Sequence, residues 1–79
     1  MITVRYFAAA AEAAGRDTEE VVAGTLADLR RDVVGRHGAD LDRVLDRCSF
    51  LVAGRRADDG ATPLPDGTTV DVLPPFAGG

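Results

Sequence analysis

Lysine is missing from this chain: all nine of its basic residues are arginine, so no side-chain amine is available on it for acylation. Cysteine and histidine are nearly missing too, with one of each. A single thiol, Cys48, excludes a disulfide within the chain and any cysteine-cluster metal site. Positive charge is short, with thirteen acidic residues and a net charge of −4. The arginines are scattered along the sequence, whereas a nucleic-acid binder gathers its basic residues on one face. Long apolar runs are lacking as well. The opening stretch MITVRYFAAAAEAAG has no basic n-region and is interrupted by Glu12. It reads as neither a signal peptide nor a membrane span, and a cytoplasmic protein is expected. Length is the last scarcity. Seventy-nine residues make one domain, 1–79, without room for a second core. A chain of this size buries only about 60–65% of its unfolded surface. That leaves little for a deep private active site, and favours a carrier or adaptor over an enzyme.

What the chain does have is a distinctive end, Leu73-Pro74-Pro75-Phe76-Ala77-Gly78-Gly79. Thr68 to Leu73 reads as a strand, with Val70 and Val72 on one face and Thr69, Asp71 and Leu73 on the other. Pro74 and Pro75 stop it, because neither donates to a ladder and the pair favours an extended path. Residues 74–79 are therefore expected as an extended, flexible C-terminal tail. From Phe76 to Gly79 such a tail reaches roughly 13 Å at about 3.3 Å per residue. Gly78 and Gly79 have no Cβ and fit a channel too narrow for side chains.

The rest of the chain supplies a small core. Ile2-Thr3-Val4-Arg5-Tyr6-Phe7 alternates as a strand with Ile2, Val4 and Tyr6 inward. Ala8 to Ala14 predicts a two-turn helix capped at Gly15, and Thr18 to Val22 a second strand. Thr25 opens the clearest helix, its hydroxyl placed to cap the first turn with Asp28 in a capping box. Leu26, Leu29 and Val33 form its apolar stripe, and Gly35 and Gly38 are expected to end it. His37, in the last turn, reads as a solvated residue complementing the helix C-terminus. Leu41, Val44 and Leu45 mark a further helical turn. Cys48 to Ala53 is a strand with Leu51 on the face opposite Phe50 and Val52, and Cys48 is expected as a quiet thiol at its edge. A turn at Ala53-Gly54-Arg55-Arg56 leads into a short edge segment. Asp58 and Asp59 read as solvated turn formers rather than a metal pair. The order strand, helix, strand, long helix, strand, short strand, strand predicts one main helix across a small mixed sheet. The other sheet face stays open, carrying Leu51 and Leu73 with Phe76 beyond, and an exposed apolar patch beside a tail suits docking.

Phe50-Leu51-Val52-Ala53-Gly54-Arg55, Asp59-Gly60-Ala61-Thr62 and the terminal Gly78-Gly79 resemble the second half of ubiquitin. The whole chain resembles the MoaD/ThiS family of ubiquitin-like sulfur carriers, and within it the small subunits of molybdopterin synthases. Met1 to Ala8 is similar to that family's first strand, the alanine helix ending at Gly15 to its first helix, and Pro63-Leu64-Pro65-Asp66-Gly67 to its approach to the last strand. Pro74-Pro75-Phe76-Ala77-Gly78-Gly79 is similar to its PPVAGG ending, with Phe76 where valine is more usual; Gly54 stands where the family often has asparagine.

The resemblance implies an α+β, β-grasp fold with the first and last strands parallel at the sheet centre. It implies that the chain is not an enzyme on its own and binds no cofactor or metal. An E1-like adenylating enzyme would use ATP and magnesium to activate Gly79, and a sulfur donor such as a cysteine desulfurase or rhodanese would convert it to a thiocarboxylate. The large synthase subunit would then receive the tail for molybdenum cofactor biosynthesis, with no nucleic acid and no membrane involved. Gly78 would give clearance, and Leu51, Leu73, Pro75, Phe76 and Ala77 would dock the partner. Rival expectations are a carrier for cysteine or thiamine thiazole synthesis, and a ubiquitin-like binding module that is never activated. Thiazole carriers typically lack the first helix, so Ala8 to Gly15 speaks against that rival.

Overall fold

The computed structural model describes residues 1–75. Its first strand, β1 (Ile2–Tyr6), alternates as expected, with Ile2, Val4 and Tyr6 buried. After α1 (Ala9–Ala14), Gly15 ends the helix in the left-handed region at φ 74°, a conformation that a Cβ penalises, and its N–H bonds Ala11 O. The chain then returns as β2 (Thr18–Val21), antiparallel to β1 from Ile2↔Val21 to Arg5↔Thr18.

Helix α2 (Leu26–His37) starts where the sequence places it: Thr25 Oγ1 accepts the Asp28 N–H at 3.2 Å. Its stripe of Leu26, Leu29 and Val33 is buried against the sheet. The helix ends as expected, running through Gly35 with His37 in its last turn and stopping at Gly38, whose N–H bonds Val34 O at 2.8 Å. A glycine inside a helix costs about 1 kcal/mol, and burial of the preceding apolar turns outweighs it. Helix α3 (Ala39–Leu45) closes the core with Leu41 and Leu45. Arg30 ties α2 to α3, its Nη2 donating to Asp42 Oδ1 at 2.9 Å and to Asp46 Oδ1 at 2.6 Å. Cys48 follows, half-buried, its Sγ donating to Val44 O at 3.2 Å. Burial pushes this thiol up from its ordinary pKa, as a quiet thiol requires.

The hairpin of β3 (Ser49–Val52) and β4 (Arg55–Ala57) turns through Ala53 and Gly54 at φ 51° and 82°. Two-residue hairpin turns of this hand need positive φ at both central positions. The last strand, β5 (Thr69–Leu73), lies parallel to β1 from Thr3↔Thr69 to Tyr6↔Val72 and antiparallel to β3. The sheet order is β2-β1-β5-β3-β4, so β1 and β5 sit side by side with β5 central. This is the expected β-grasp arrangement, with Val4, Val70 and Val72 fully buried under the helices.

Among the described residues, one charged residue is buried. Glu19 pairs across from Val4, which puts its carboxylate on the core face of β2, and it is buried. Tyr6 Oη donates to Glu19 Oε2, and His37 Nε2 lies 2.7 Å from the same oxygen. A carboxylate only accepts, so that histidine nitrogen carries the proton. Arg36 Nη1 reaches Oε1 at 3.4 Å. His37 is therefore not the solvated residue its position suggested: its side chain is 14% exposed and bolts the end of α2 to β2. Glu19 comes from another element, which is why the helix sequence does not announce it.

Burial would raise the Glu19 carboxyl, but the bonds from Tyr6 and His37 and the charges of His37 and Arg36 hold it below its ordinary value. The Tyr6 phenol is raised, first by burial and then by its bond to Glu19 and the charge there. A carboxyl lowered by folding contributes stability above its unfolded value of 4.5, which is lost as pH falls through the folded value. Glu19→Gln is therefore expected to lower unfolding free energy at neutral pH by about 1–3 kcal/mol. Its gap from wild type should shrink in acid. Urea titrations at neutral and acidic pH check this, and a gap independent of pH would mean the carboxylate charge is not what matters.

Candidate functional site

The helices cover one face of the sheet, and the side chains that alternate away from them form the other. Across its middle the register aligns Thr18 of β2, Arg5 of β1, Asp71 of β5, Leu51 of β3 and Arg56 of β4. Leu73 lies one side-chain step beyond Asp71 and opposite Ser49, diagonal to Leu51. Leu51 and Leu73 are both half-buried. The structure thus brings together on the open face the two leucines named from sequence.

Phe7 is the residue that sequence reasoning passed over. Its N–H donates to Val72 O at 3.2 Å, which places it at the end of β1 beside Leu73, and it is 40% exposed. The signal was present, because the alternation that sends Val4 and Tyr6 inward sends Thr3, Arg5 and Phe7 outward. Arg5 carries its guanidinium carbon 5.9 Å from the centre of the Phe7 ring. Its Nε and Nη2 donate to Asp71 Oδ1 and Oδ2 at 2.5 and 2.9 Å, a bidentate pair. The bond to Asp71 and the charge there raise the arginine further above its ordinary pKa.

β5 stops at Leu73, with Pro74 half-buried and Pro75 exposed. Phe76, Ala77, Gly78 and Gly79 lie outside the described residues. Among the described residues, no group of three or more His, Cys, Asp or Glu side chains converges to hold a metal. No helix among them is long and apolar enough to cross a membrane. A shallow depression is lined by Val22, Ala23 and Gly24, which follow β2, and by Asp28, Arg31 and Arg36 of α2, and by no residue of β5. What the open face offers is recognition: three apolar side chains around an ion pair, at the place where the last strand ends.

Ala8 makes the turn that closes this corner, between Phe7 and α1. It holds φ 52° and ψ −124°, a region that glycine enters freely and alanine does not. Ala8→Gly is expected to raise unfolding free energy by about 1 kcal/mol after the greater chain entropy of unfolded glycine is counted. Thermal unfolding reads this as a rise of several degrees, and a fall would show that Ala8 is unstrained.

The ThiS family model matches residues 4–79. No curated protein sequence matches the chain. Among solved structures, the small archaeal modifier protein 1 of Haloferax volcanii is 30% identical, with 95% of this chain and 97% of that one covered at a TM-score of 0.77. The putative molybdopterin converting factor, subunit 1, of Pyrococcus furiosus is 28% identical over 95% and 97% of the two chains, TM-score 0.75. A chain of the complex of subunits 1 and 2 of the molybdopterin-converting factor of Helicobacter pylori is 27% identical over 99% and 97%, TM-score 0.73.

Proposed function

We propose that this chain, which belongs to the ThiS family of ubiquitin-like sulfur carriers, carries sulfur on Gly79 for the synthesis of molybdopterin. The single observation that supports this most is the extent of the family match, which runs through Gly78 to Gly79. Likeness to subunit 1 of one molybdopterin converting factor and to a chain of the subunit 1 and 2 complex of another supports the pathway.

The chemistry follows from the weakness of a carboxylate as an electrophile: it is anionic and has no leaving group. An E1-like adenylating enzyme joins the Gly79 carboxylate to the AMP part of ATP, releasing pyrophosphate, with magnesium on the phosphates. A persulfide from a cysteine desulfurase or rhodanese attacks the carbonyl and expels AMP, forming an acyl disulfide. A second thiol cleaves that S–S bond, leaving a thiocarboxylate on Gly79 and a disulfide on the donor side. The sulfur is now a soft nucleophile on a tether, presented at high effective concentration within a large subunit's pocket. In this reading Phe7, Leu51 and Leu73 hold the domain on its partner, together with Pro75, Phe76 and Ala77. Gly78 lets the tail pass, and the chain supplies no catalytic acid or base. The work is cytoplasmic and uses no resident cofactor.

A second reading, transfer of activated Gly79 to an amine of another protein, is favoured by the likeness to the Haloferax modifier protein. The two readings share the adenylate and part at the nucleophile.

Incubation with ATP, magnesium, the adenylating enzyme and a persulfide donor is expected to raise the intact mass by the difference between sulfur and oxygen, mapped to Gly79. Adding the large subunit and the pterin precursor should then remove it. Deleting Gly79 should abolish the mass change and leave the melting temperature where it was. No mass change and no AMP adduct would leave a ubiquitin-like binding module that is never activated. Leu51→Glu and Leu73→Glu are each expected to raise the KM for the carrier in adenylation by roughly tenfold, about 1.4 kcal/mol, with little loss of stability. An unchanged KM would put the docking face elsewhere.

A further inference from the structure

We infer that the Arg5–Asp71 pair selects the partner, whose apolar patch presents a carboxylate to the outer edge of the Arg5 guanidinium. This rests on the carrier reading and deepens it by stating what the docked protein must look like. The pair occupies the two adjacent strands β1 and β5, flanked by Leu51 across β3, by Leu73 along β5 and by Phe7 along β1. It thus borders, on these three sides, apolar side chains that a partner would cover, while Thr3, Thr18 and Thr69 lie on its other sides.

The two members of the pair face solvent unequally. Asp71 is 14% exposed and spends both carboxylate oxygens on Arg5, whereas the Arg5 side chain is 51% exposed. A guanidinium has a side edge, Nε with Nη2, and an end edge, Nη1 with Nη2. Asp71 takes the side edge, and among the described residues Nη1 has no hydrogen-bond partner. The contact with Phe7 holds the group over the sheet and leaves its end edge available. Arg56, at the far end of the same row, is also well exposed, but its Nε already donates to Asp58 Oδ1 at 3.2 Å. The end edge of Arg5 thus shows cationic donors outward although the chain as a whole is at −4.

A wholly apolar partner would strip water from those donors and leave them unpaired, which opposes binding. A basic partner patch would add like-charge repulsion. A carboxylate meeting the end edge completes the arginine's bonds, so the pair acts as a filter on partners.

The test uses ATP–pyrophosphate exchange by the E1-like adenylating enzyme of the same genome, with KM for the carrier and kcat read at low and high salt. Arg5→Gln and the double variant Arg5→Leu with Asp71→Leu are compared with wild type, each checked for an intact fold by thermal unfolding. Both are expected to raise KM at least about tenfold with kcat unchanged. The wild-type KM should rise with salt and that of the double variant should not. Arg5→Gln keeps the fold's polarity at this position, so it decides the matter if the double variant aggregates. Wild-type-like KM in Arg5→Gln, or tighter binding by the double variant, overturns the filter and leaves the carrier reading standing. Absence of exchange with the wild-type chain overturns both.

Discussion

The parallel pairing of β1 with β5 is the constraint on which the rest of this structure depends. Val4, Val70 and Val72 are fully buried along it, and neither strand can be displaced without opening the core. Because the two strands lie at opposite ends of the sequence, the pairing closes nearly the whole chain into one loop. The entropy of that closure grows only slowly with length, and the apolar surface buried by the helices offsets it. The same register brings Phe7 beside Leu73 and Arg5 beside Asp71. The geometry of the core and the geometry of the open face are thus one decision, since a one-residue slip would exchange the two faces.

Two ion-pair clusters show how burial changes the meaning of similar groups. On the core face, Glu19 is enclosed with Tyr6, His37 and Arg36, and its carboxylate binds side chains from two other elements of the fold. Its consequence is mechanical, joining the end of α2 to the edge strand. On the open face, Arg5 and Asp71 make an equally well-formed bidentate pair, but half of the arginine remains in solvent. Exposed pairs of this kind contribute little to stability. Their influence is on what the surface accepts, which is a matter of binding rather than folding.

The chemistry proposed for this family member makes few demands on the domain beyond stable presentation. A tethered nucleophile needs its carrier to be small, rigid at the root of the tail, and recognisable by more than one protein. The short strand β5, ended by Pro74, meets the first two needs with very little material. In the proposed reading, recognition is left to side chains that the core does not use, Leu51, Leu73 and Arg5 among them.

Local periodicity makes much of this protein legible from its residues. The alternation of Ile2, Val4 and Tyr6, the stripe of Leu26, Leu29 and Val33, and the Thr25 cap are each written within one turn or one strand. They depend on backbone geometry alone, so the sequence by itself determined those elements, the split of β5 into a buried and an open face, and the positions of Leu51 and Leu73 on the latter. Gly35 is carried inside the last turn because a local preference of about 1 kcal/mol yields to burial of the helix around it. Tertiary structure alone decided what pairs with what. Glu19 looks like any strand acid until Val4 is placed opposite it, and His37 looks solvated until Glu19 is placed beneath it. Arg5 and Asp71 lie at opposite ends of the chain and become one bidentate pair only across the parallel register. A side chain's environment is set by neighbours distant in sequence, and no pattern within a segment encodes them.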